Sequence, residues 1–262
     1  MKTKAIVSGG LFMAAAMQVS QAAVINLTTA GSSGSVNGAT FQQVVGGSAG
    51  SGVLDPFVRI QQKGNNTTEE GYNSSVRPVM PDVDTSPFTK DILLSSLDKV
   101  TIASIDYFKF LLDINEPNSD PAFLVTLHAL QLYTKTGPLT TANTYAALTS
   151  GATLVWNLDA GSDSKIELKD LNSGSGQYDM FAYIPSSVFG TDLTKNVYLY
   201  SAFGVTQSAD GGFEEWSSLK KTDGGGGGGG GGRVPDGGST IASLGAVLLG
   251  LGSIRKLIAS KA

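Results

Sequence analysis

Short apolar runs between turn residues constrain the fold of this chain more than any other feature of its sequence. The runs are rich in β-branched and aromatic residues and are bounded by Gly, Asn, Asp, Ser or Pro, a pattern typical of β-strands. Many such runs at close spacing favour an all-β domain, a β-sandwich of the jelly-roll type, with a barrel as the alternative. The predicted strands are 41–45, 57–62, 100–105, 108–114, 123–133, 153–158, 165–168, 180–185 and 197–205.

Alternation of side-chain types is clearest within the run at 123–133. A strand presents every second side chain on the same face, so five residues of this run are expected to share one face. These are Leu124, Thr126, His128, Leu130 and Leu132. No run with a helical period of useful length lies between the two ends of the chain, and only a single turn is expected, at residues 186–189.

The N-terminus has the layout of a secretory signal peptide. Lys2 and Lys4 precede an apolar segment at residues 5–17, and small residues follow at 20–22. The apolar segment is too short to span a bilayer comfortably, so removal of this peptide is predicted, with cleavage after Ala22 or Ala23. The alternative is a buried N-terminal helix.

The C-terminus combines a spacer, a turn motif, an apolar segment and a basic end. Nine consecutive glycines occupy 224–232, and the 18 residues from 237 to 254 carry no charge. At 1.5 Å per residue an 18-residue helix is about 27 Å long, just enough to cross the hydrocarbon core of a membrane. Arg255 and Lys256 then form a membrane stop that the positive-inside rule keeps in the cytoplasm. The alternative is an amphipathic helix docked on the folded domain.

The turn motif at this junction resembles the C-terminal sorting signals recognised by exosortases, the PEP-CTERM group and its relatives whose motif begins Val-Pro-Asp. The resemblance covers residues 233–262, and Asp236 and Gly237 stand where the main pattern of the group has Glu and a second Pro. The residues that carry it are Val234, Pro235, Asp236, Gly237 and Gly238, followed by Ser239 and Thr240.

This resemblance implies an exported protein of a Gram-negative bacterium. Its expected partners are signal peptidase, an exosortase-type enzyme that cleaves near the motif, and the inner membrane, which holds the tail temporarily. Its expected destination is the cell surface or the extracellular matrix. The chain then divides into a signal peptide (1–22), a β-sandwich ectodomain (23–222), a glycine-rich linker (223–233) and a sorting domain (234–262).

Composition excludes several classes of function. The net charge of −4 and the pI near 5.0 provide no basic surface for nucleic acid. The chain has no cysteine and one histidine, which excludes disulfides, cysteine-ligated zinc, multi-histidine zinc sites and Cys-His nucleophiles. A Ser-His-Asp triad would need His128, which lies in mid-strand among leucines and is more simply a strand histidine.

Two clusters of polar residues are candidate binding sites. Asp113 and Asn115 alternate onto one face at a strand end, as two calcium ligands would, with Glu116, Asn118 and Asp120 close behind. The alternative for this segment is a solvated exit from the strand, where Asp and Asn satisfy free backbone groups.

The second cluster follows the Asp-Gly-Gly turn at 210–212. Glu214 and Trp216 share one face there and could form a sugar-binding surface, while the alternative is a closing edge strand with Trp216 in the core. Glu214 and Glu215 are adjacent, so they would not converge on one glycosidic bond.

The segments 52–61, 70–73, 112–116 and 212–216 together resemble an ectodomain that recurs on exosortase-sorted proteins and has no assigned activity. We therefore expect a non-enzymatic surface or matrix protein with a structural or adhesive role and no required cofactor. The alternatives are a module that binds carbohydrate, such as extracellular polysaccharide, or calcium, and then a glycosidase.

Overall fold

The computed structural model describes residues 22–44, 54–117, 119, 122–172, 176–209 and 211–219, and these residues are mostly β. Their strands are numbered in chain order. They are β1 (Val24–Leu27), β2 (Ser33–Val36), β3 (Ala39–Gln43), β4 (Leu54–Ile60), β5 (Glu69–Tyr72), β6 (Ile92–Leu93), β7 (Asp98–Ile102), β8 (Ile105–Asp113), β9 (Leu124–Lys135), β10 (Thr153–Asn157), β11 (Lys165–Lys169), β12 (Met180–Pro185), β13 (Asn196–Phe203) and β14 (Glu214–Leu219).

The described strands form two sheets. The first sheet has the order β1-β11-β9-β13-β5, with β10 also paired to β9 and β6 to β13. The second sheet has the order β2-β3-β12-β8-β14-β4, with β7 also paired to β8. All pairings are antiparallel except that of β1 with β11. Successive strands often lie in different sheets, so each sheet is assembled from segments distant in sequence.

The inner faces of the two sheets share one hydrophobic core. Leu132 and Ser201 belong to the first sheet, Phe110 and Trp216 to the second, and all four side chains are fully or almost fully buried. The Nε1 of Trp216 donates to the Oγ of Ser201 at 3.0 Å, a hydrogen bond that joins the sheets through the core. This bond satisfies the polar atom of a large side chain whose burial contributes on the order of 2–3 kcal/mol.

A short α-helix, Tyr145–Gly151, corrects the prediction that no helix lies in this part of the chain. The side chain of Thr144 caps its N-terminus by accepting from the backbone N–H of Ala147. The ring of Tyr145 packs on that of Tyr200, with centroids 4.6 Å apart, and therefore places the helix over the outer face of the first sheet. Seven residues make too few turns for a helical period to be visible in the sequence.

A smaller apolar cluster lies on the outer face of the second sheet. Tyr107 and Leu111 of β8 alternate with core-facing Phe108 and Phe110, and they therefore point away from the first sheet. Residues of β12, β7 and the sheet edges complete the cluster, whose buried members are Leu54, Ile102, Tyr107, Leu111, Tyr178, Phe181 and Tyr183.

All nine predicted strands have a counterpart in the structure, with shifted ends. Residues 100–105 are split, because Ala103 and Ser104 adopt positive φ and turn β7 into β8. The predicted turn at 186–189 is confirmed as a 3₁₀-helix, Ser186–Phe189. Strands β1, β2, β5 and β6 were not predicted, because runs of two to four residues are too short to show alternation. β14 was predicted only as an alternative, a closing edge strand after the turn at 210–212.

The predicted common face of β9 is wrong beyond His128. A β-bulge at this residue shifts the pairing between β9 and β13, so that Leu127 pairs with Phe203 but Ala129 pairs with Ala202. The core face is therefore Val125 and Leu127 before the bulge, and Leu130 and Leu132 after it. The position of such an extra residue is set by the pairing with the partner strand. The sequence of β9 alone therefore does not reveal it.

No helix among the described residues is long and apolar enough to cross a membrane. The segment predicted to do so, 237–254, lies outside them.

Candidate carboxylate site at one end of the two sheets

One end of the domain gathers acidic side chains on both faces of the second sheet. β8 ends there at Asp113, β14 begins there at Glu214, and Asp113 pairs in register with Glu215. The outward-facing residues Asp113 and Glu215 line an open cavity of about 180 Å³ together with Arg59, Asn115, Gly212 and Phe213.

Arg59 neutralises the outer side of this end. Its guanidinium forms a hydrogen-bonded ion pair with Glu215, whose side chain is almost fully buried. The same guanidinium lies 3.9 Å from the centre of the Phe88 ring and 5.7 Å from that of Phe213. Contact with aromatic faces holds the arginine in place and shields the ion pair from water.

Asp113 lies beside this ion pair, and no lysine or arginine of the described part of the chain forms an ion pair with it. Its Oδ2 accepts from the backbone N–H of Gly176 at 2.6 Å. Burial is the main cause that raises the pKa of Asp113 to about 7. The backbone N–H groups of Gly176 and Gln177 lower this pKa, and the charges of Glu215 and Asp170 raise it further. This carboxyl group is therefore partly protonated near neutral pH.

The shared face of Asp113 and Asn115 is confirmed, while calcium binding at this face stays a prediction. The Nδ2 of Asn115 points to Asp113 Oδ1 at 3.3 Å and to the carbonyl oxygen of Phe213 at 2.8 Å, so the amide acts as a donor. A side-chain carbon on Gly211 would lie 2.2 Å from the carbonyl oxygen of Asn115, so the turn before β14 needs glycine there. Asn115 thus fastens the turn to the end of β8. The alternative interpretation is right that a side chain satisfies a backbone group here but wrong about solvation, because Asp113 is 3% exposed.

Asp179 and Asp170 fix the neighbouring loops. The carboxylate of Asp179 accepts from the N–H groups of Ile114, Leu171 and Asn172 at 3.1–3.2 Å. Burial, with the charges of Asp170 and Asp113, nevertheless raises the pKa of Asp179 to about 8. Asp170 accepts from the N–H of Glu116 at 3.1 Å. Both aspartates therefore hold the ends of β8 and β11 together.

Three glutamates point inward between the sheets at this same end. Glu69 comes from β5, Glu116 follows β8 and Glu214 begins β14; they are 2%, 5% and 1% exposed. Alternation explains the direction of each. Glu214 is two residues from core-facing Trp216, Glu116 is two residues from Ile114, and Glu69 pairs with Phe203 of the core. We call these three residues the inner glutamates.

Glu69 and Glu214 form no ion pair with a cationic side chain among the described residues. Glu69 Oε2 accepts from the backbone N–H of Gln62 at 2.7 Å, but no donor hydrogen-bonds to either oxygen of Glu214. Burial raises the pKa of Glu214 well above its usual range, and interaction with Glu69 and the charge of Glu116 raise it further. Burial also raises the pKa of Glu69. Among the described residues, no group of three or more acidic or histidine side chains is placed so that it could hold a metal ion.

The predicted sugar-binding surface of Glu214 and Trp216 is wrong. The two residues do share a face, but that face is the core, and Trp216 is fully buried. The alternative was right about the core position of Trp216 and wrong about an edge, because β14 lies between β4 and β8.

His128 lies in β9 as expected for a strand histidine. It is half-buried at the bulge, where burial lowers its pKa. Its nearest acidic influence is Asp159, and its Nδ1 is buried without a hydrogen-bond partner.

The residues predicted for processing lie at or beyond the limits of the described chain. Ala22 and Ala23 immediately precede β1, and Ala23 donates its N–H to Ser164 Oγ at 3.2 Å and accepts from the N–H of Lys165 at 2.9 Å. The sorting motif and the membrane stop lie outside the described residues, as do Asn118 and Asp120 of the calcium hypothesis.

Sequence reasoning singled out Asp113, Asn115 and Glu214 but not Glu69 or Arg59 as members of this region. The ion pair of Arg59 with Glu215 and the approach of Glu69 to Glu214 both depend on strand pairing between distant segments. The sequence pattern itself indicates only one member of the pair. Glu214 is an acidic residue at a core-facing position, two residues before Trp216 on the same face of the strand.

No protein-family model, curated protein or solved structure matches this chain.

Proposed function

We propose that this chain is an exported protein, sorted through its C-terminal segment to the cell surface or extracellular matrix, where its β-domain has a structural or adhesive role. The observation that carries the proposal is the order of signals in the tail. The glycine spacer, the Val234-Pro235-Asp236 motif, the uncharged segment 237–254 and the basic residues after it follow one another without interruption.

The two-sheet domain fits the jelly-roll β-sandwich of many surface proteins. Four strands of the second sheet have the order β4-β14-β8-β12, and four of the first have the order β5-β13-β9-β11. A chain that follows these eight strands in sequence crosses between sheets as in a jelly roll, with one pair of successive strands, β9 and β11, in the same sheet. The remaining strands extend this framework at its edges.

The limits of the domain support processing at both ends. Ala23 is already hydrogen-bonded to Ser164 and Lys165, so cleavage after Ala22 leaves these bonds intact and cleavage after Ala23 removes them. At the other end β14 stops at Leu219, a few residues before the glycine spacer. Removal of either terminal segment therefore leaves every described strand in place.

A structural role is also supported by how the acidic residues are used. Asp170 and Asp179 accept backbone N–H groups, Glu215 pairs with Arg59, and Glu214 is enclosed in the core. Glu214 and Glu215 point to opposite faces of β14, as expected of neighbours in a strand, so they do not flank a common bond.

The test is mass spectrometry of the mature protein from a Gram-negative host that carries the sorting enzyme. We expect an N-terminus at Ala23 and a C-terminus near 234–236. Replacing Pro235 and Asp236 by alanine should leave the tail intact and the protein in the inner membrane, and deletion of residues 234–256 should release the domain in soluble form.

A matched control is Asp223→Asn, which changes an acidic residue on the other side of the glycine spacer and should be processed normally. An intact tail on the surface-exposed wild-type protein, or normal processing of the Pro235 and Asp236 variant, would overturn the proposed sorting mechanism.

A further inference from the structure

Both sheets direct a carboxyl group into the buried interior between them. Glu69 belongs to β5 of the first sheet and Glu214 to β14 of the second, and the two interact between the sheets. Glu116 approaches from the end of β8 and adds its charge to the same region. No lysine or arginine among the described residues forms an ion pair with Glu69 or Glu214.

A buried carboxylate without a partner is costly, by several kcal/mol even after relaxation. A fold can resolve this cost by protonation, by a basic side chain or by a bound cation. The outer side of the same strand uses a basic side chain, because Arg59 pairs with Glu215. On the inner side, Glu214 Oε1 and Oε2 and Glu69 Oε1 are buried without a hydrogen-bond donor among the described residues.

We propose that Glu69 and Glu214 are the two carboxylate ligands of a calcium site. Ca²⁺ takes six to eight oxygen ligands in adaptable geometry, including amide and backbone oxygens and water. Two carboxylates neutralise its charge. The side-chain oxygen of Gln62, whose N–H already contacts Glu69, is also buried without a donor and is a candidate third ligand.

This site differs from the one suggested by the spacing of Asp113 and Asn115. Those residues point to the opposite face of the second sheet, where an amide nitrogen and Arg59 occupy the surroundings of the carboxylates. Mg²⁺ is a weaker candidate, because it requires near-octahedral geometry and retains several waters. The proposal does not rest on the sorting mechanism and can fail or hold independently of it.

The first test is calorimetric titration of the full chain in mild detergent, after treatment with EDTA, with calcium chloride at pH 7.5. We expect one Ca²⁺ per chain and a rise in melting temperature with calcium concentration. Glu69→Gln and Glu214→Gln should each weaken binding about tenfold or more while the variants stay folded in EDTA. Glu167→Gln, which changes a partly exposed glutamate of β11, should bind as the wild type does.

The second test locates the ion. Trp216 is two residues from Glu214 on the same face of β14, which places the two side chains about 7 Å apart. Terbium bound at the proposed site should therefore luminesce when tryptophan is excited, and added calcium should quench the emission. Trp216→Phe should remove most of this signal, whereas Trp156→Phe, a change of the other tryptophan in the chain, should retain it.

The outcomes of these tests distinguish a pair of carboxylates that binds calcium from a pair that shares a proton. Absence of heat and of any change in melting temperature up to 10 mM calcium, roughly ten times the weakest extracellular sites, would overturn the proposal and leave a carboxyl pair that shares a proton. Binding that survives both glutamine variants, or terbium emission that survives Trp216→Phe, would place a calcium ion elsewhere and overturn it as well.

Discussion

Glu214 and Glu215 are neighbours in β14, yet their side chains lie in opposite environments. Glu215 points outward, pairs with Arg59 and lies near the rings of Phe88 and Phe213 that contact this arginine. Glu214 points inward beside Trp216, with the carboxyl group of Glu69 opposite it and no donor on either oxygen. Both side chains are buried, so exposure alone does not distinguish them.

The difference shows that the effect of a buried charge on stability depends on whether the charge has a partner. An ion pair that is complete within the chain is a structural element, and its loss leaves an uncompensated charge. A buried carboxyl group without a partner lowers stability unless it is protonated or binds a cation, and its replacement by a neutral side chain relieves that cost. The two glutamates should therefore respond to substitution with opposite signs.

The largest expected effect comes from removing the cation on the outer side. Arg59→Ala leaves Glu215 buried without its partner and next to Asp113, so we expect a loss of about 3 kcal/mol in the free energy of unfolding. Urea denaturation at pH 7.5 in EDTA measures this loss.

The double variant Arg59→Ala with Glu215→Gln separates charge from packing. It should recover a large part of the stability, because no buried charge is left unpaired. Lys99→Ala, which breaks the exposed pair of Lys99 with Asp106, is the control and should change little. A loss of the same size in the double variant would show that the contact of Arg59 with the aromatic rings, and not its charge, stabilises this end.

The next effect is a fall in stability as the pH rises above neutral. The pKa of Asp113 is raised from 3.8 to about 7 and that of Asp179 to about 8. The folded state therefore holds protons that the unfolded state has already released at pH 6.5. This stabilising contribution is complete below the unfolded value of 3.8 and is lost as the pH rises through 7 and 8.

Between pH 6.5 and pH 8.5 we expect the free energy of unfolding in EDTA to fall by about 2 kcal/mol, since one pKa unit corresponds to about 1.4 kcal/mol. His128, with its pKa lowered by burial, acts in the opposite direction, and mainly below 6.5. Asp113→Asn should flatten the lower part of the curve. Stability that is constant or rises over this range in the wild type would show that both aspartates are ionised throughout.

The sequence predicted the environment of β14 better than that of its partners. Alternation in Phe213, Glu214, Glu215 and Trp216 correctly separated the two glutamates, because a strand fixes which neighbours share a face. It could not show that Glu69 faces Glu214, since the pairing of β5 with β13 is set by tertiary contacts. The bulge at His128 was missed for the same reason.

Local features that were too short also escaped prediction. The helix after Thr144 has seven residues, and its start depends on a single capping side chain. β5 has the sequence Glu-Glu-Gly-Tyr, which lacks the apolar alternation of a half-buried strand. The buried residue Glu69 of this strand is acidic, whereas a core strand usually places an apolar residue at such a position. The feature that makes Glu69 part of a candidate site is therefore also the reason why the strand was missed.

A smaller effect, opposite in sign to that of Arg59→Ala, is expected from Glu214→Gln. The amide is the same size as the carboxyl group, carries no charge and can donate to Glu69. In EDTA at pH 7.5 we expect the variant to be about 1–2 kcal/mol more stable than the wild type. In saturating calcium the order should reverse, because only the wild type gains from the ion.

Glu215→Gln is the matched control for this prediction, since it makes the same change one residue along the strand. It should lower stability in EDTA and should not alter the response to calcium. If Glu214→Gln is destabilising in EDTA, the carboxyl group has a donor that stabilises it, and the contrast between the two faces of β14 disappears.

The smallest effect tests whether Asn115 is a ligand or a structural bridge. Asn115→Ala removes the hydrogen bonds of its amide to Asp113 and to the carbonyl oxygen of Phe213, which should lower the free energy of unfolding by about 1 kcal/mol. Calcium affinity should be unchanged, because the amide faces away from the inner glutamates. A thermal melt with and without calcium measures both quantities. A calcium response lost in Asn115→Ala but kept in Glu214→Gln would move the ion to the outer face, beside Asp113.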